Sequence, residues 1–206
     1  KTDQIIGSIS FREIACLKSG AITQLLNEVS TSNSDAHILQ CLNSLSILLK
    51  EMSGKNTDPQ LTRDTIAAAF HASLSSYVRL AIENLGKPPV EFALLTLGSN
   101  ARNEMTMFSD QDNALVYADP AVDKLELVQE YFNTLAAEVC SRLDHAGYPF
   151  CPGGIMAANP KWNQSLSAWK DTLGQKILNP DDSAVQELAV LLDMRKAYGS
   201  DFLAET

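Results

Sequence analysis

Apolar positions in the first third of the chain recur at helical spacing. Ile14, Leu17, Ala21, Leu25 and Val29 mark one helix, weakened in the middle by Gly20. Ile38, Leu42, Leu45, Leu49 and Met52 mark a second, with Ser34 placed to cap it and Gly54 to end it. Asp58-Pro59 opens a third, because a first-turn proline gives up an N–H that has no helical partner anyway. The inner face of this helix carries Ile66, Phe70, Leu74, Tyr77, Ala81 and Leu85, and Gly86 followed by Pro88-Pro89 stops it. Sustained heptads are absent, so these helices suit a bundle or an antiparallel hairpin with a leading helix better than a long coiled coil.

The period changes after Pro89. "VEFALLTL" is a short apolar run bounded by turn signals, which fits a buried strand, and "NALVYA" fits a second. Between them "SNARNE" suits a helical turn. Leu125, Val128, Phe132, Leu135, Val139 and Leu143 then predict a long helix from about Pro120 to His145, ended by Gly147. "YPFCPGGIMA" reads as a third strand with a Gly-Gly break. Asn159-Pro160 reads as the cap of a helix bearing Trp162, Leu166 and Trp169, with both indoles packing that helix on the core. A last helix is expected from Asp182 to Tyr198. The pattern is α+β: a helical N-terminal region (1–87), a small mixed-sheet α/β core (88–158) and a helical C-terminal region (159–206).

Composition narrows the function classes. Of 206 residues, 45% are apolar and 20% charged, enough for a buried core and against wholesale disorder. The net charge of −9 argues against binding to long nucleic acids, although a bound cation reverses the field locally. No apolar run reaches membrane-spanning length and no signal peptide is recognisable, so a cytoplasmic location is expected. Cys16, Cys41, Cys140 and Cys151 form no C-x-x-C pair, and reduced thiols are expected rather than a zinc site or disulfide framework. With no initiator Met and an end inside a helical pattern, the chain reads as a fragment of a longer protein.

The candidate chemistry lies between the first two strands. Gly98 removes the Cβ barrier to a phosphate, and Ser99 adds a hydroxyl at the start of a helical turn. Arg102, four residues after Gly98, is placed to return to that side and fork onto phosphate oxygens. Glu104 either orients Arg102 or assists a metal. Asp110 and Asp112, two apart on an extended segment, aim carboxylates at one point, and their repulsion is relieved by a cation, normally Mg²⁺. A calcium loop is excluded: its sixth position would be Leu115 rather than Gly, and its twelfth Ala121 rather than Glu. His71 reads as a packing residue, Lys161 and Lys170 as solvated, and Arg195 stays open.

"LGSNARNE...SDQDNALVY" resembles the polymerase-beta-like nucleotidyltransferases. More closely, the chain resembles the nucleotidyltransferase family found beside CBS and cyclic-nucleotide-binding modules in bacterial signalling proteins, which is similar to the N-terminal part of protein-PII uridylyltransferases. "CPGGIMAANPKWNQSLSAWKDTL" and "LLDMRKAYGS" resemble its substrate-binding helical part. The resemblance implies a phosphate-binding turn at Gly98 and Ser99 and a catalytic metal pair at Asp110 and Asp112, holding Mg²⁺ or Mn²⁺. A third carboxylate on a later strand completes the site in that superfamily. It belongs near "YPFCPGGIMA", which contains no acid; Asp193 and Asp144 are remote candidates. The implied partners are a nucleoside triphosphate, a protein acceptor and attached sensor domains, and a homodimer is compatible. Two functions follow: transfer of a nucleoside monophosphate, UTP being the analogical guess, or a catalytically silent regulatory module. A helical interaction scaffold is a third, which leaves the acid pair idle.

Overall fold

The computed structural model describes residues 11–52, 59–106 and 108–205, and for 11–19, 52 and 183 the backbone alone. Three helices lead, α1 (Phe11–Thr31), α2 (Asp35–Met52) and α3 (Pro59–Leu85). Their apolar stripes are those of the sequence where side chains are described. Val29, Ile38, Leu45, Leu49, Phe70, Leu74, Tyr77 and Ala81 are buried. Ser34 caps α2, its Oγ accepting from the His37 N–H at 3.4 Å. Gly54 and Asp58 lie outside the described residues. Among those residues no helix is long and apolar enough to cross a membrane.

The rest of the chain is β1 (Phe92–Leu97), α4 (Gly98–Ala101), β2 (Asn113–Tyr117), α5 (Leu125–His145), β3 (Asn163–Ser165), α6 (Leu166–Leu178), α7 (Asp182–Leu192), β4 (Met194–Gly199) and α8 (Asp201–Glu205). The strands form one mixed sheet in the order β3-β2-β1-β4. β1 pairs antiparallel with β2 and β4, whereas β3 runs parallel to β2 after the α5 crossover. Every residue of β1 and β2 is buried, because helices cover both faces. Phe92, Leu94, Leu115 and Tyr117 join a core with all three front helices and α5. Ala93, Leu95, Leu97, Ala114 and Val116 face Trp162, Trp169, Leu191 and Leu203. The Leu, Val and Phe side chains among these each contribute about 1.5–3 kcal/mol when fully buried. The front helices therefore share one continuous apolar core with the sheet.

Three expected elements are different. "YPFCPGGIMA" is not a strand: only Phe150 bridges, in parallel, to Gln111. Pro152 has no N–H to offer a ladder, and the chain turns back as the Gly154 N–H donates to the Cys151 carbonyl. Asn159-Pro160 caps a single 3-10 turn, Pro160–Trp162, and not the helix. The chain then extends as β3, and Ser165 caps α6. Trp162 thus precedes the helix, yet both indoles pack as expected, and Trp169 Nε1 donates to the Leu115 carbonyl at 3.0 Å. The last helix stops at Leu192, and Met194–Gly199 is the edge strand β4. Pairing with β1 overrides local helical periodicity there. Gly199 closes that pairing: it has φ +92°, and a Cβ on it would stand 2.1 Å from the Phe92 carbonyl oxygen.

Candidate functional site

The end of β1 and the approach to β2 are tied together before any ligand is considered. The Leu97 N–H donates to the Asp112 carbonyl at 3.1 Å, carrying the β1–β2 ladder past Asn113. Buried Asn100, on α4, donates from Nδ2 to the Asp110 carbonyl at 3.2 Å. The Gly-Ser turn is thus fastened to the backbone of both acids. Gly98 has φ +52°, a conformation that suits glycine, and an added Cβ would lie 4.0 Å from Asp112 Oδ2 and 3.7 Å from the Val190 side chain. The Gly98 N–H is already taken, donating to the Asp193 carbonyl at 2.9 Å. Among the turn's amides, those of Ser99 and Asn100 lie in the first turn of α4, where helices lack internal acceptors.

Alternation sorts the acidic segment into two faces. Gln111 and Asn113 point inward. Gln111 donates to the carbonyls of Cys140 (3.0 Å) and Tyr148 (3.1 Å), and Asn113 Oδ1 accepts from the Ala157 N–H (2.9 Å). These bonds hold the 148–157 segment alongside β2, although it is not a strand. Asp110 and Asp112 share the other face, and the same segment brings Cys151 to them. A ligand atom from each of Asp110, Asp112 and Cys151 lies within 4.8 Å of the others.

The electrostatics are those of a site short of positive charge. Among the described residues Asp112 Oδ1 is buried with no hydrogen-bond partner. Burial raises the Asp112 carboxyl above its ordinary range, a hydrogen bond from Cys151 opposes this, and the Asp110 charge raises it further. The Cys151 thiol is pushed up to about 11, by burial first and also by Asp112. An orphaned carboxylate oxygen beside a second acid fits a divalent cation. Asp110 and Asp112 are hard oxygen donors of the kind Mg²⁺ and Mn²⁺ take, and the thiol adds a softer one.

Arg102 caps the end of α4 and does not point free toward the turn. It pairs with Glu104 at 2.8 Å and with the Asp193 carboxylate. Glu104 therefore orients Arg102. Asp193 stands at the turn through its carbonyl, but its carboxylate is engaged by Arg102, and Asp144 is not among the groups gathered near Asp112. Where an acid was looked for, this chain carries Cys151. The single-residue Phe150 bridge to Gln111 places it there, a pairing too short to leave a pattern. Asn100 was also missed, and its place in "GSN" is the only signal for it. His71 is half-buried, with Nε2 3.3 Å from Asn103 Oδ1, and Arg195 donates to the same oxygen at 3.1 Å. Lys161 is ion-paired with Glu187 rather than merely solvated. A groove of about 520 Å³ along Lys87–Phe92 and Ser200 lies at the other end of β1.

No curated protein matches the chain. The family described as "Putative nucleotidyltransferase DUF294" matches residues 43–183, more than half the chain and the whole of the turn and acid pair, and the chain belongs to that family.

Proposed function

We propose that this chain transfers a nucleoside monophosphate from a nucleoside triphosphate to a hydroxyl, with release of pyrophosphate. The observation that carries the reading is the convergence of the Gly98-Ser99 turn on Asp112, whose Oδ1 is buried and unpartnered. Asp110 and Asp112 would hold Mg²⁺ or Mn²⁺, which when bound neutralises phosphate charge and polarises the α-phosphate. Ser99, through its hydroxyl and amide, holds the β- and γ-phosphates. Gly98 lets them approach without a Cβ in the way. Arg102 reaches phosphate by exchanging one of its two carboxylate partners, for which the triphosphate oxygens are equivalent acceptors. Most of the acceleration then comes from positioning and fixed charge. UTP and a regulatory-protein hydroxyl are the substrates suggested by analogy with the uridylyltransferases.

A second reading is a silent regulatory module that binds nucleotide and relays its state to attached sensor domains. One observation favours it: a thiol, not a carboxylate, stands third beside the acid pair. The core shared by the front helices and the sheet offers such a relay a physical route.

Incubation with each labelled nucleoside triphosphate, Mg²⁺ or Mn²⁺ and a lysate of acceptors separates the two. Transfer that is lost in Asp110→Asn and Asp112→Asn supports the enzyme. Metal-dependent binding without transfer supports the module. Absence of any nucleotide binding refutes both.

A further inference from the structure

The joint between α1 and α2 gathers three groups that the acid pair does not use. Glu28 lies near the end of α1, and His37 and Cys41 stand one turn apart on α2. Cys41 Sγ is 3.5 Å from Glu28 Oε2 and 3.6 Å from His37 Nε2. The same Nε2 is 3.6 Å from the same Oε2. Three different donor atoms thus form a nearly equilateral triangle. Tetrahedral zinc, with bonds of about 2.3 Å to sulfur and about 2.0–2.1 Å to nitrogen and oxygen, separates its donors by about 3.3–3.6 Å. The thiol can donate to Glu28 Oε2 and lies within sulfur hydrogen-bond reach of His37 Nε2, whereas the nitrogen–oxygen edge is longer than the 2.7–3.2 Å of an ordinary bond, so the three atoms face a common centre rather than bonding in a ring.

The surroundings are those of a metal site. His37 Nδ1 faces Ser32 Oγ at 3.3 Å, which turns Nε2 inward. Gln24 donates to Glu28 Oε1 at 2.8 Å, which leaves Oε2 for the centre. Outer partners of this kind fix ring tautomer and carboxylate orientation at metal centres. Cys41 is buried, while the side chains of His37 and Glu28 are 46% and 35% exposed, so the fourth corner opens to water. Thiolate, carboxylate and neutral imidazole together balance a dication.

We propose that Glu28, His37 and Cys41 bind a divalent transition-metal ion of the zinc type, with water in the fourth position, and that the ion staples α1 to α2. On binding, the Cys41 S–H bond gives way to a sulfur–metal bond and the proton leaves to solvent. The sulfur and nitrogen donors select such an ion over Mg²⁺. The expectation of no zinc site overlooked that His37 and Cys41 are four residues apart, the spacing that puts two side chains on one helix face.

Co²⁺ serves as a visible probe of the same ligands. The full chain carrying Cys151→Ser, so that the acid-pair thiol cannot report, is titrated with Co²⁺ and its melting followed with added Zn²⁺. The expected result is a thiolate-to-cobalt charge-transfer band saturating at one equivalent and a rise in melting temperature with Zn²⁺. Both are lost when Cys41→Ser or His37→Gln is added. His37→Gln, at an exposed position, keeps the test valid should the buried Cys41 change fail to fold. Ser32→Ala is expected to weaken binding by about 10-fold. No thiolate band in the Cys151→Ser protein, or a band that survives His37→Gln unchanged, overturns the proposal.

Discussion

Among the described residues acid and thiol meet at two places, in opposite ways. Beside β2, Asp110 and Asp112 come from one extended segment and Cys151 from a neighbouring loop. At the joint between α1 and α2, Glu28 comes from the first helix and His37 and Cys41 from the second. The first cluster doubles a negative charge and leaves Asp112 Oδ1 with no hydrogen-bond partner among the described residues. The second mixes oxygen, nitrogen and sulfur, and other polar side chains orient its acid and its imidazole. Crowded like charges on a strand face call for a hard cation and the phosphates it brings. A mixed set held by helices calls for a softer ion that stays.

The comparison breaks most visibly at the acid pair. Asp110→Asn or Asp112→Asn should lower nucleotidyl transfer by on the order of 10²–10³-fold, since a metal ion supplies several kcal/mol of charge stabilisation. In the Cys151→Ser background the same changes should leave Co²⁺ binding at the joint between α1 and α2 unaltered, as read by the thiolate band. Cys151→Asp sharpens the contrast by making the first cluster all oxygen. Its affinity for Mg²⁺, measured by calorimetry, should rise by about 10-fold. Gly98→Ala places a Cβ where φ is +52°, and should cost about 1–2 kcal/mol. At roughly 2–4 °C per kcal/mol, the fall in melting temperature is measurable.

The smallest effect is a gain. Burial raises the folded-state pKa of Asp112, so the folded protein holds that proton more tightly than the unfolded chain does. The associated stability is fully present below the ordinary carboxylate value of about 4 and is lost as pH rises through the raised value. Metal-free Asp112→Asn, which carries no such charge, should therefore melt higher than the natural protein near neutral pH. The advantage should vanish in melting curves recorded below about pH 4.

The front helices and the first two strands were legible because their signals are local. A stripe such as Phe70, Leu74, Tyr77 and Ala81 repeats within one element, and an apolar run such as "FALLTL" needs only its own residues to be read as buried. The Gly-Ser turn and the D-x-D spacing were legible for the same reason, and the structure brings them together. What was missed depends on distant partners. Arg195–Tyr198 looks helical until β1 supplies an unpaired edge about a hundred residues away. Asn163–Ser165 is a strand because Leu115–Tyr117 lies beside it. Cys151 reaches the acids because Gln111 and Asn113 grip the segment around it, and no spacing in the sequence encodes that grip. Arg102 was expected at the phosphates, and only the fold shows Asp193 waiting beside it.

Crystals grown with Mn²⁺ and a non-hydrolysable nucleoside triphosphate test the central claim most directly, through the anomalous signal of manganese. The account predicts one manganese peak shared by the Asp110 and Asp112 carboxylates, with the β- and γ-phosphates within hydrogen-bond reach of Ser99. No manganese at the Asp110 and Asp112 carboxylates, or a triphosphate seated away from the Gly98-Ser99 turn, would contradict it.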